Sequence, residues 1–175
     1  MEKHAGTDII ELIFHKDKPN DIKATYVRSV CDIRPHKIET RRSRLTAGRN
    51  LIYYPGDVIT PTSDLATTKL HVNSAIPYIK ARYMCMDVKC FHLNNIMNRT
   101  EYIMIRIAMI PQGFVVKYNI QEKAHNGYIY SRVTKAMYVL PQAGRIAHDA
   151  LVKHLDSYGY HPSNKTLVLW THKLE

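Results

Sequence analysis

Lys135-Ala136-Met137-Tyr138-Val139-Leu140-Pro141-Gln142-Ala143 runs from a short apolar segment, through a proline, into small and polar residues. Pro141 suits a first helical turn, because its missing N–H is one that a helix start leaves unpaired anyway. Beyond it Ile146, Ala147, Ala150, Leu151, His154, Leu155 and Tyr158 recur at three- and four-residue spacing. That is the period of one helix face. Gly159 stands just past the last of them as a C-cap. The residues therefore predict an amphipathic helix opening at Pro141.

Upstream, Asn126-Gly127 is a two-residue turn signal leading into Tyr128-Ile129-Tyr130, which predicts a hairpin. Residues 100–110 alternate, with Ile103, Ile105 and Ile107 on one face of an extended segment. Tyr83 to Val88 reads as a buried strand with Asp87 near its C-terminal end, where a functional carboxylate is commonly presented. Asp64 is placed to cap a helix from Leu65 to about Ile76, and Pro77 ends it. Residues 55–64, rich in Pro, Gly, Thr and Asp, are a loop. Leu45 to Tyr54 is expected to be a strand interrupted at Gly48, following a basic run that holds Arg41, Arg42 and Arg44. Residues 21–34 suit a strand, and Ile9 to Phe14 a short helix or strand before a polar loop. Leu167 to Trp170 is expected to be the last strand.

The 175 residues are enough for one domain with a core. With 45% hydrophobic and 23% charged residues the chain has globular proportions. A formal net charge of +10 favours a polyanionic partner, nucleic acid or an acidic membrane surface, over a merely soluble basic protein only in combination with other signals. Cys31, Cys85 and Cys90 show no Cys-x-x-Cys spacing, and the His residues are scattered, so no zinc site or disulfide framework is expected. The most apolar stretch, Tyr102 to Val116, is broken by Arg106, Pro111 and Gly113 and cannot span a bilayer. No apolar leader opens the chain. These features lead to the expectation of a soluble, intracellular protein, cytoplasmic or nuclear, with no membrane partner.

Two segments occur in a telling order. Met86-Asp87-Val88-Lys89-Cys90-Phe91-His92-Leu93-Asn94 follows an apolar strand, and Lys135 to Ala143 opens the amphipathic helix. Together they resemble the first two palm motifs of copia-type retrotransposon reverse transcriptases. There an Asp-Val-Lys strand end precedes a Lys-Ala-Leu-Tyr-Gly-Leu-x-Gln-Ala helix start. Glu101-Tyr102, Met104 and Pro111-Gln112-Gly113-Phe114 resemble the segment linking the motifs. Lys153 to Tyr160, then Leu169-Trp170, resemble the approach to the family's catalytic hairpin.

The resemblance implies an α+β fold: a partial palm, an antiparallel sheet with helices on one face, plus a small β-rich fingers lobe. Residues 1–33 would be an N-terminal extension or the start of the fingers, and residues 34–175 the fingers and partial palm. It implies RNA-directed DNA polymerase ancestry, with a template–primer and a dNTP as partners. The chemistry is phosphoryl transfer assisted by divalent ions. By resemblance Asp87 is the catalytic carboxylate and a ligand to Mg2+, with the Val88 carbonyl as a second oxygen donor. The alternative for Asp87 is a strand cap or a pair with Lys89. His92 takes the place of an aromatic residue beneath the incoming sugar, or else has no duty. Gln142 matches a Gln that contacts nucleotide or template, against an ordinary first-turn residue. Arg42 and Arg44 fall where fingers cations grip a triphosphate, against a solvated charged loop. Val139 replaces a Gly that the family uses for a conformation Val resists.

The family also needs a Tyr-x-Asp-Asp hairpin, and these residues contain no Asp-Asp pair. The expectation is therefore a truncated, inactive or nearly inactive fragment. Its last strand should lack a partner and promote self-association. The competing expectations are a non-catalytic basic nucleic-acid-binding module and a functionless remnant of a decayed mobile element.

Overall fold

Ile103, Ile105, Ile129 and Val133 mark the buried side of two long antiparallel strands, β4 (Ile96–Arg106) and β5 (Tyr128–Lys135). The computed structural model describes residues 8–36, 38, 40–82, 87–164, 166 and 169–172. β-Branched residues at alternate positions favour extended backbone, and hiding that one face from water drives the pairing. β1 (Ile10–Ile13) lies antiparallel on the other edge of β5. β2 (Thr25–Ile33) runs parallel to β4, and β3 (Arg41–Ala47) pairs antiparallel with β2. The result is a five-stranded sheet in the order β1-β5-β4-β2-β3.

The architecture is α+β, as expected, but the sheet is mixed rather than antiparallel. Thr25 and Tyr26 pair in parallel with Ile103 and Met104. The chain returns to β4 only after the long segment containing α1 (Leu65–Ala75), and that length permits a parallel crossover.

Two helices, α2 and α3, contribute to the packing on one face of the sheet. Val115 of α2 (Gln112–Lys117), Ala143 of α3 (Ala143–Asp156) and the connecting residues Ile110, Ile120, Met137 and Leu140 form one apolar cluster with Ile103, Ile105, Ile129 and Val133. α3 begins at Ala143, two residues later than Pro141 suggests, with Gln142 as its N-cap residue. Its C-terminal half is poorly covered, and Ala150, His154 and Tyr158 are exposed. Gly159, at φ +80°, then reverses the chain into β6 (Tyr160–Pro162).

β6 pairs antiparallel with β7 (Trp170–His172). The last strand was expected at Leu167 to Trp170: residues 167 and 168 lie outside the described residues, and the strand observed, Trp170–His172, is paired along one edge by β6, which Gly159 turns the chain back to supply. A second correction concerns Leu45 to Tyr54. The strand lies earlier, on Arg41–Ala47, and Arg49–Leu51 forms a single 3-10 turn. From Arg28 outward the β2–β3 hairpin is exposed or only half-buried, so backbone pairing holds it and no apolar alternation announces it.

α1 matches its expected position closely. The Asp64 carboxylate accepts a hydrogen bond from the Thr67 amide at 2.6 Å. Yet α1 buries none of its residues, and Leu65 and Leu70 are exposed. No helix among the described residues is long and apolar enough to cross a membrane.

Candidate functional site

The two motif segments meet in space. The Ala136 amide donates to the Asn95 carbonyl at 2.8 Å, and Ile96 pairs with Lys135 where β4 and β5 join. His92 packs edge-on against Tyr138, with ring centres 5.6 Å apart, and tilted against Phe91 at 5.5 Å. His92 Nδ1 is buried without a hydrogen-bond partner among the described residues. The base of the arginine hairpin also reaches this point, where the Ala47 amide approaches the Tyr138 carbonyl at 3.5 Å.

Between Tyr138 and Leu140 the backbone makes a demand that valine serves badly. Val139 sits at φ +74°, in the left-handed region. There a β-branched side chain crowds its own backbone, at a cost of about 1–3 kcal/mol. This is the position at which the resemblance calls for glycine. The strained turn stands immediately ahead of the Pro141–Gln142 helix entry.

Gln142 is fully buried. Its Nε2 donates to Glu101 Oε1 at 3.0 Å, while its own Oε1 has no partner among the described residues. Glu101, 3% exposed, also accepts an ion pair from Arg99 Nε at 3.2 Å. Burial pushes the Glu101 carboxyl above the usual carboxylate range, and the Gln142 hydrogen bond and the Arg99 charge pull it back only in part. In this arrangement Gln142 Nε2 is committed to Glu101, and only the buried Oε1 is left to meet another group. Glu101 and Arg99 also line a cavity of about 320 Å³, together with Asp21, Lys23 and Tyr53. Sequence reasoning did not single out Glu101. An acidic residue two positions before an alternating isoleucine pair was the available signal, since it falls on the buried parity.

The remaining candidates are more open. Asp87 and Val88 are exposed and belong to no regular element. The rest of the strand expected at Tyr83–Val88, residues 83–86, lies outside the described residues. Arg42 stands opposite Asp32 and Arg44 opposite Val30 on the β2–β3 hairpin. Arg42 is half-buried and Arg44 exposed, and among the described residues neither makes an ion pair. The structure thus brings His92, Tyr138 and the Val139 turn together, and joins Gln142 to Glu101.

For a hard cation, Asp87 and the Val88 carbonyl are oxygen donors of the right kind. One exposed carboxylate and one carbonyl are too few to hold two metal ions in working positions.

A scan against family models finds no match to this chain, and neither a search of curated proteins nor one of solved structures finds a similar protein.

Proposed function

We propose that this chain is a reverse-transcriptase-like module of copia type, fingers and partial palm, that binds a nucleotide without extending a primer by itself. The observation that carries the reading is Val139 at φ +74°. The local fold asks for glycine where copia-type polymerases have glycine, although this sequence supplies valine. The contact of His92 with Tyr138 supports it further, since the two motifs then border one site. In this reading Asp87 and the Val88 carbonyl contribute oxygen donors to a Mg2+ ion arriving with the triphosphate. Arg42 and Arg44 supply phosphate-binding forks, His92 lies beneath the sugar, and Gln142 anchors the helix entry behind the pocket.

The test is binding of Mg·dTTP by the intact chain, followed by fluorescence, beside primer extension on an RNA template. Saturable binding weakened by Asp87→Asn and by Arg44→Ala, with no extension, is the expected result. A folded chain that binds no dNTP, or binds it equally well with both substitutions, would overturn the reading. Robust extension abolished by Asp87→Asn would instead show a complete catalytic site.

A second reading, a non-catalytic basic nucleic-acid-binding module, is favoured by the exposed arginines of the β2–β3 hairpin and by the net charge of +10.

A further inference from the structure

The face of the sheet turned away from α3 has a chemistry of its own. One register row crosses four strands: Ile13, Tyr130, Met104 and Tyr26. All four are half-buried rather than covered. The neighbouring rows bring three exposed arginines to the same face. Arg132 lies opposite Tyr102 and Glu11, Arg106 lies opposite Tyr128, and Arg28 follows Tyr26 by two residues along β2.

Two of these arginines already rest on aromatic rings. The Arg28 guanidinium lies 5.1 Å from the Tyr26 ring centre, and the Arg106 guanidinium 5.8 Å from that of Tyr128. The Tyr26 phenol donates to Asn50, and the Tyr128 phenol accepts from Arg106 Nε at 3.1 Å, a bond given up when Arg106 turns to a phosphate. The ring faces of Tyr26 and Tyr128 are what the surface offers to a base. Arg132 is held by Glu11, the one acid among the described residues paired with these arginines. Tyr26 has its place because Gly48 lies directly beneath the ring; a β-carbon there would fall 2.4 Å from a ring carbon.

We propose that this open sheet face binds single-stranded nucleic acid. Bases stack on Tyr26 and Tyr128, and the displaced Arg28 and Arg106 guanidinium groups turn to the phosphates. Each Arg–Tyr pair holds in one place the two groups a nucleotide needs, an apolar ring for its base and a fork for its charge. A single strand is the occupant because only unpaired bases present free faces to a flat aromatic row, whereas a duplex offers this surface phosphates alone. The surplus of arginine over acid on the face matches a polyanion. The inference deepens the nucleic-acid-binding reading by naming its surface, and it does not require Asp87, His92 or Gln142; Arg44 and Arg42, opposite Val30 and Asp32, lie farther out along the same face of β2 and β3.

The test uses the full chain and a fluorescein-labelled oligo-dT of about 20 nucleotides, with a duplex of equal length beside it, followed by fluorescence anisotropy over a salt series. The single strand should bind more tightly than the duplex. Arg28→Glu with Arg106→Glu should weaken it about tenfold or more, and Tyr128→Leu about fivefold without changing the salt slope. Tyr128→Phe should bind as the parent does. A circular-dichroism melt of each variant separates lost binding from lost folding. Duplex binding as tight as single-strand binding overturns the stacking role. Unchanged affinity in all the face variants, with loss in Arg42→Ala and Arg44→Ala, overturns this surface and leaves the basic-module reading standing. No binding by the parent chain overturns both.

Discussion

Ile103 and Met104 are neighbours in β4, yet they belong to two different surfaces. Ile103 is fully buried on the side where α2 and α3 pack, and Met104 is half-buried in a row with Tyr130 and Tyr26. The two faces of one sheet thus divide the labour. One is a close-packed apolar core that makes the domain fold. The other is an arginine and tyrosine surface, half-buried along the row of Ile13, Tyr130, Met104 and Tyr26, to which we assign binding. The same strands serve both because side chains alternate across a pleated sheet.

Substitution on the two faces should break this symmetry most visibly. Ile129→Ala, on the buried side, should cost about 2–5 kcal/mol in urea unfolding, from lost apolar transfer and the cavity left behind. Its neighbour Tyr128→Leu should change stability by less than about 0.5 kcal/mol. Comparable losses at both positions would mean that the tyrosine face is a second core rather than a binding surface.

The polar contact within the buried side is the next point to probe. Glu101→Ala would leave the Gln142 amide buried without its acceptor, a loss of about 1–3 kcal/mol. Glu101→Gln should behave oppositely at neutral pH. It removes the buried charge, and its amide can both accept from Gln142 Nε2 and donate to the orphaned Gln142 Oε1. The pH dependence follows from the direction of the shift. Burial raises the Glu101 carboxyl above its unfolded value, so the folded chain holds that proton more tightly. The stability due to this group is complete below the ordinary carboxylate range and is lost as pH rises through the raised value. Glu101→Gln should flatten that stretch of the stability–pH curve; an unaltered slope would assign it to other groups.

Val139→Gly should stabilise the chain by about 1 kcal/mol, the relief of a left-handed valine partly offset by the freedom glycine gains when unfolded. Destabilisation would argue against the strained turn. The smallest effect belongs to Asp64→Ala. The Thr67 amide holds the Asp64 carboxyl below its usual range, so the cap operates above that range and fails as pH falls through the lowered value. Because α1 buries nothing, its loss should appear as faster hydrogen exchange at Thr67 and Thr68 while the global melt is unmoved.

The elements with local signatures were legible in the sequence. Asp64 before α1 is one of them. Asn126-Gly127 is another, with φ of +50° and +78° between the paired His125 and Tyr128. The isoleucine alternation of β4 and the apolar stripe of α3 also announced themselves. What stayed hidden depends on partners distant in sequence. The parallel junction of Thr25–Tyr26 with β4 has no local signature. β3 carries arginines on an exposed hairpin, where nothing enforces an apolar period. The site was legible in part. Val139 stood out as a residue at odds with its turn, and the backbone there does adopt the conformation valine resists. The engagement of Gln142 by Glu101 was not readable, because a single acid on the buried parity of a strand does not reveal which amide will meet it across 41 residues.

The most direct measurement is an NMR titration of the isotopically labelled chain with Mg·dTTP. The nucleotide reading predicts that shifted amides cluster at Asp87–Asn95 and Lys135–Gln142, with the Arg42 and Arg44 side chains following. A well-dispersed spectrum that does not change with nucleotide, or changes only elsewhere, would contradict it.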